Sequence, residues 1–206
     1  MARKTVKPGQ SDRAGVQQRS ISADIRAIEG QDRTFELSFS SEEPYTRWWG
    51  VEILDHSDGA LDLTRLNEIG VLLFNHDRDV VIGKILSASV QENRGIATVQ
   101  FDTDEESEKI YQKVQNGTLK GVSVGYMVDS WEEVAAGKQS ADGKYTGPCE
   151  VARKWTPFEI SIVSVPADPT VGVGRELDDA PETITGSAHD SLANAMRQLQ
   201  INLNRR

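Results

Sequence analysis

Three residues able to share one proton-transfer task lie far apart in the chain: a serine in a glycine frame, a histidine ending an apolar run, and an acid inside another run. The serine stands in Gly121-Val122-Ser123-Val124-Gly125. As a bare pattern this is G-x-S-x-G, the sharp strand-to-helix turn that exposes the nucleophile of α/β-hydrolases. The surroundings exclude that turn. A helical pattern ends near Asn116, strand-like alternation runs through and beyond the serine, and the only later histidine is His189, in a polar tail. On a strand, successive side chains take opposite faces. Val122, Val124 and Tyr126 then form a core face, while Ser123 shares the other face with Gly125 and Met127. The absent side chain at Gly125 is expected to leave room there for a substrate backbone. Taken alone, a serine on a strand is also a common structural residue.

His76 closes the apolar run Val71-Leu72-Leu73-Phe74-Asn75 and opens the charged turn His76-Asp77-Arg78-Asp79. A histidine where a buried strand meets solvent can be oriented by the core yet stay open to substrate, as a general base must be. His56, in Leu54-Asp55-His56-Ser57, has a similar setting, and either ring could simply be satisfied by its own turn. Glu159 interrupts the otherwise apolar or small-residue run Trp155-Thr156-Pro157-Phe158-Glu159-Ile160-Ser161-Ile162-Val163. A buried carboxylate is costly unless it is hydrogen-bonded. A histidine N–H would satisfy it and fix the ring's tautomer; the plain alternative is a solvent-facing strand residue.

Other chemistries find little support. The single cysteine, Cys149, has no internal disulfide partner and sits in the polar stretch Tyr145-Thr146-Gly147-Pro148-Cys149-Glu150, which reads as unreactive. His56, His76 and His189 are too scattered for a metal centre, and no Cys/His cluster assists them. No metal or other cofactor is expected.

These residues need a frame to bring them together, and the hydrophobic pattern supplies a β-rich one. Phe35, Leu37 and Phe39 alternate with Glu36 and Ser38, the period of a strand with one buried face. Further strands are expected over residues 48–54, 71–74, 80–90, 95–101, 122–128 and 158–165. One helix is expected between them: Thr103 and Glu106 fit a capping box, Ile110 and Val114 lie one turn apart, and Asn116-Gly117 ends it. Residues 130–154 are polar, carry the turn signal Asp142-Gly143, and read as a long flexible loop or loose hairpin. The fold class is α+β, mainly β. Residues 1–30 read as a basic, flexible tail, at least up to the weak apolar pattern of Ile21, Ile25 and Ile28. The main domain is expected over residues 31–176. Residues 177–206 read as an acidic linker followed by a helix-period stripe of Leu192, Met196, Leu199 and Leu203, which must dock on the domain, a partner or another copy.

With 206 residues the chain can bury one full core. Its formal charge of −9 argues against nucleic acid as the main partner. No apolar run approaches the roughly 20 residues of a membrane span, and the N-terminus lacks a signal-peptide core, so no membrane association is expected.

Four segments, in order, resemble the prohead proteases of tailed bacteriophages and prophages: Trp49-Gly50-Val51-Glu52-Ile53-Leu54-Asp55-His56, Val71-Leu72-Leu73-Phe74-Asn75-His76-Asp77, Gly121-Val122-Ser123-Val124-Gly125-Tyr126, and the segment from Glu159-Ile160-Ser161 through Pro166-Ala167-Asp168-Pro169. The resemblance covers roughly residues 33–175. It implies a β-barrel with surrounding helices, similar to the herpesvirus assembly protease, and a serine endopeptidase with Ser123 as nucleophile and His76 as base. For the third member it favours Glu159; the herpesvirus relatives use a second histidine, which keeps His56 open, with Asp77 and Asp168 as outside candidates. The implied substrates are the scaffolding segment of the major capsid protein, sometimes separate scaffold proteins, and the protease itself. The implied place of action is the host cytoplasm, inside the assembling procapsid. The two tails would then be self-cleaved segments or targeting elements. The rival expectation is a non-catalytic assembly protein, a barrel that binds the capsid subunit as a scaffold.

Overall fold

The computed structural model describes residues 15–22 and 25–165. Its strands are β1 (Gln17–Ser22), β2 (Ile25–Ala27), β3 (Thr34–Ser41), β4 (Tyr45–Arg47), β5 (Gly50–Leu54), β6 (Val71–Phe74), β7 (Asp77–Gln91), β8 (Arg94–Phe101), β9 (Gly121–Val134) and β10 (Cys149–Val163). Two helices interrupt them, α1 (Thr64–Ile69) and α2 (Glu105–Gln115). The fold is mainly β, as expected.

All ten strands belong to one sheet, in the order β1-β9-β10-β6-β7-β8-β3-β2, with β5 beside the start of β10 and β4 beside β5. β1 ends at Ser22 on one edge and β2 starts at Ile25 on the opposite edge. Three peptide units span no more than about 11 Å, so the sheet must curl until its edges nearly meet. The curl encloses Phe35, Leu37, Phe39, Leu72, Ile82, Val99, Phe101, Val122, Val124, Trp155, Ile160 and Ile162, all buried. Each such side chain contributes about 1.5–3 kcal/mol when fully buried.

α2 lies over this core through Ile110, Tyr111 and Val114, with the Tyr111, Phe35 and Phe101 rings in mutual contact. Its cap is Asp104, one residue later than the expected Thr103. The Asp104 carboxylate accepts from the Glu106 and Ser107 N–H groups, which a carboxylate at the positive end of a helix does well. α1 was not expected; Leu63 at its N-cap makes no side-chain cap bond, so no capping signature marks it.

One segment differs from expectation and a second resolves an open choice. Part of the stretch read as a basic tail forms β1 and β2. Arg19 turns inward beside Ile21, its guanidinium lying over the Tyr45 ring and donating to the Glu43 carbonyl. An inward-facing arginine breaks the apolar alternation by which a strand is read. The stretch at 130–154, left open between a loop and a loose hairpin, is a hairpin whose strands β9 and β10 pair out to Val134 and Cys149, with residues 135–148 connecting them. Arg153 fastens it, with ion pairs to Asp55 (2.7 Å), Glu132 (2.6 Å) and Asp142 (2.8 Å). The acidic linker and helix stripe of residues 177–206 lie outside the described residues.

Candidate functional site

The middle of the sheet supplies the site. β9 and β10 are antiparallel, with Ser123 opposite Ser161 and Gly125 opposite Glu159. The register shifts between Pro157 and Glu159, so Phe158 is an extra residue on β10. Such a bulge changes which face the following side chains take. Before it, Trp155 points into the core; after it, Glu159 and Ser161 share the face of Ser123.

β6 runs parallel to β10 with Phe74 level with Ile162, which carries the turn after Phe74 to the same place. Phe74 pairs with Asp77 across only Asn75 and His76, and these two have φ of 53° and 62°. A two-residue type I′ hairpin turn requires left-handed backbone at both positions and favours Asn-Gly. Asn75 suits the first position. His76 stands where glycine is preferred, a strain of order 1–3 kcal/mol that clusters at functional sites. The turn is tied to β10: Asn75 N–H donates to the Ile162 carbonyl (2.9 Å), and Asn75 Oδ1 accepts from the Ser164 N–H (2.9 Å) and hydroxyl (3.2 Å).

The result is a hydrogen-bonded row. His76 Nδ1 lies 2.6 Å from Glu159 Oε1, and Nε2 lies 2.7 Å from Ser123 Oγ. An ionised carboxylate can only accept. Nδ1 therefore carries the proton it donates to Glu159, and Nε2 is left to accept from the Ser123 hydroxyl. The second carboxylate oxygen, Oε2, accepts from the Ser161 hydroxyl at 2.8 Å. Ser123 is 0% exposed and Glu159 5%, whereas the His76 side chain retains 15%, so the row meets solvent through the imidazole.

The glycine beside the serine has a different use from the one expected. A Cβ at Gly125 would collide with the Glu159 carboxylate and approach the Phe158 ring to 2.8 Å. The space is filled by the acid, not held open for a substrate backbone. Behind the row, on the core face of β9, the Tyr126 hydroxyl donates to Glu52 (2.5 Å) and accepts from Arg47 (2.7 Å). Burial, then the Glu52 charge, pushes the Tyr126 pKa well above its ordinary value.

The other candidates stand apart. His56 is buried, its Nε2 2.8 Å from the Ser40 hydroxyl and its Nδ1 2.9 Å from the Leu54 carbonyl, with the ring edge against Trp155. Burial lowers its pKa and favours the neutral ring. Asp77 is exposed at the start of β7 and accepts from the Asp79 N–H. Asp168 lies outside the described residues. The Cys149 thiol is buried, and burial pushes its pKa up, away from the reactive thiolate. Among the described residues no group of three or more His, Cys, Asp or Glu is placed to hold a metal ion.

Ser161 and Asn75 were not singled out from the sequence. Alternation alone could have placed Ser161 beside Glu159, two residues along one strand. The hold on Asn75 depends on Ser164, which lies 89 residues away.

The chain is 39% identical over 170 residues to the major capsid protein of Halomonas phage phiHAP-1, a match covering 80% of this chain. It spans about a quarter (27%) of that relative's length. No solved structure matches. The family model for the caudovirus prohead serine protease matches residues 43–182, a span holding His76, Ser123 and Glu159, and the chain belongs to that family.

Proposed function

We propose that this chain is a serine endopeptidase acting in procapsid maturation, with Ser123 as nucleophile, His76 as general base and Glu159 orienting the imidazole. The observation that carries the reading is the continuous row Ser123–His76–Glu159, with both contacts at 2.6–2.7 Å. His76 Nε2 takes the Ser123 proton as Oγ attacks a peptide carbonyl, and the resulting imidazolium is stabilised by Glu159. The ring then gives that proton to the leaving amine. A water enters by the same route in reverse to release the acyl group and restore the serine.

The capsid subunit is the proposed substrate, in its scaffolding segment, and the chain's own tails are a second one. In the Halomonas phage the matched region is part of a polypeptide named for the major capsid protein, which supports a capsid partner. The histidine-before-serine order and the curled sheet support a kinship with herpesvirus assembly proteases. The family supports a site of action in the assembling procapsid, in the host cytoplasm.

A second reading has an observation in its favour. Ser123 is fully buried, as a structural serine in a capsid-binding scaffold would be. Co-expression with the capsid subunit separates the two. The wild type should yield a shortened subunit by intact-mass measurement and Ser123→Ala a full-length one; full-length subunit with both would leave the scaffold reading.

A further inference from the structure

Ser161 lies directly across the β9–β10 ladder from Ser123, on the same face, and is 0% exposed. Its hydroxyl touches both partners of the carboxylate–imidazole pair. It donates to Glu159 Oε2 at 2.8 Å, accepts from the His76 backbone N–H at 3.2 Å, and lies 3.4 Å from His76 Nδ1. A hydroxyl has one proton and two lone pairs, and this one uses the proton on the acid and a lone pair on the turn. The donation turns the carboxylate so that its other oxygen, Oε1, faces Nδ1. The acceptance holds the backbone of a residue in left-handed conformation. No other described side chain bonds both Glu159 and the His76 turn.

We propose that Ser161 is a positioning residue: one hydroxyl locks the Glu159 carboxylate and the His76 backbone into the geometry that aims Nε2 at Ser123. It does not face the Ser123 oxygen through any hydrogen bond and acts only through its two neighbours. The proposal rests on the roles given above to Ser123, His76 and Glu159.

The test compares threonine and valine at this position, since they have the same shape and differ in the hydroxyl. In the full-length chain, Ser161→Val and Ser161→Ala should lower kcat on a capsid-derived peptide by roughly tenfold to a hundredfold, the range for losing a buried hydrogen bond to a charged group. KM should change little, and Ser161→Thr should recover most of the turnover lost in the valine form. A readout independent of turnover is the His76 Nδ1–H proton in the NMR spectrum, recorded in a Ser123→Ala background. It should be far downfield and slow to exchange with Ser161 or Thr, and should move upfield and exchange faster with Ala or Val. An unmoved Nδ1–H resonance in both Ala and Val forms would overturn the proposal whatever the enzyme does. If the resonance moves as stated while no form cleaves peptide, the positioning role stands and the endopeptidase reading falls.

Discussion

His56 and His76 begin from nearly the same sequence setting, each ending an apolar strand beside an aspartate, and the fold puts them to opposite uses. The His56 ring is closed off: both nitrogens are matched to neighbours that neither move protons nor reach substrate, a serine hydroxyl and a main-chain carbonyl. The His76 ring is held between an acid and a hydroxyl, in a turn conformation that histidine disfavours. The contrast lies less in the histidines than in what the sheet places opposite them. His56 is level with the core indole of Trp155. His76 is level with the one stretch of β10 whose parity has been reversed by the Phe158 bulge. A histidine's neighbours across the sheet decide its role, and those neighbours are remote in sequence.

The comparison can be broken most sharply at the row itself. Ser123→Ala or His76→Ala should each reduce peptide cleavage by about a millionfold, with the double variant little worse than either. Steady-state assays on a capsid-derived peptide check this, and a loss of only tenfold would remove His76 from the role of base. Glu159→Gln should cost about ten-thousandfold in kcat, because an amide can present its N–H to the ring and favour the wrong tautomer. The same assay decides it.

His56→Ala should behave in the opposite sense. It leaves a cavity against Trp155 and strands the Ser40 hydroxyl, destabilising the fold by about 2–4 kcal/mol. Turnover per folded molecule should stay close to wild type; urea unfolding together with active-site titration would show it. The smallest expected effect is in pH. Burial holds the His56 pKa below its ordinary 6.5, so between those two values the unfolded chain binds more protons than the folded one. The stability tied to the neutral ring is therefore complete above about pH 6.5 and is lost as pH falls through the depressed folded value. Thermal midpoints followed from pH 7.5 to 5 should fall less steeply in His56→Gln than in wild type.

Much of this was legible in residue order. Alternation marked β3 and the serine-bearing part of β9, and a lone acid in an apolar run marked Glu159. What hid the rest was local chemistry at odds with its setting. Arg19 faces inward and disguises β1. Asn75-His76 forms a hairpin turn that is usually announced by Asn-Gly, so β6 and β7 did not read as a hairpin. The polar residues of the β9–β10 arm left a loop or a loose hairpin open, because its apolar contacts are few (Val134, Cys149 and Val151 against Ile53) and an arginine with three acids adds to the hold. Gly125 was read for the space it leaves, but that space is defined by a side chain 34 positions onward. Ser161 looked like filler in a strand until its register with Ser123 was known.

The parallel pairing of β6 with β10 sets an order of events. Residues 71–74 must wait for residues 160–162 before they have a neighbour on that side. During synthesis the histidine turn and the serine strand leave the ribosome well before the strand that joins them. A nascent chain stopped short of residue 159 holds two of the three groups and no frame to align them. Whatever cutting power the finished molecule has is thus withheld until almost the whole described domain has been made.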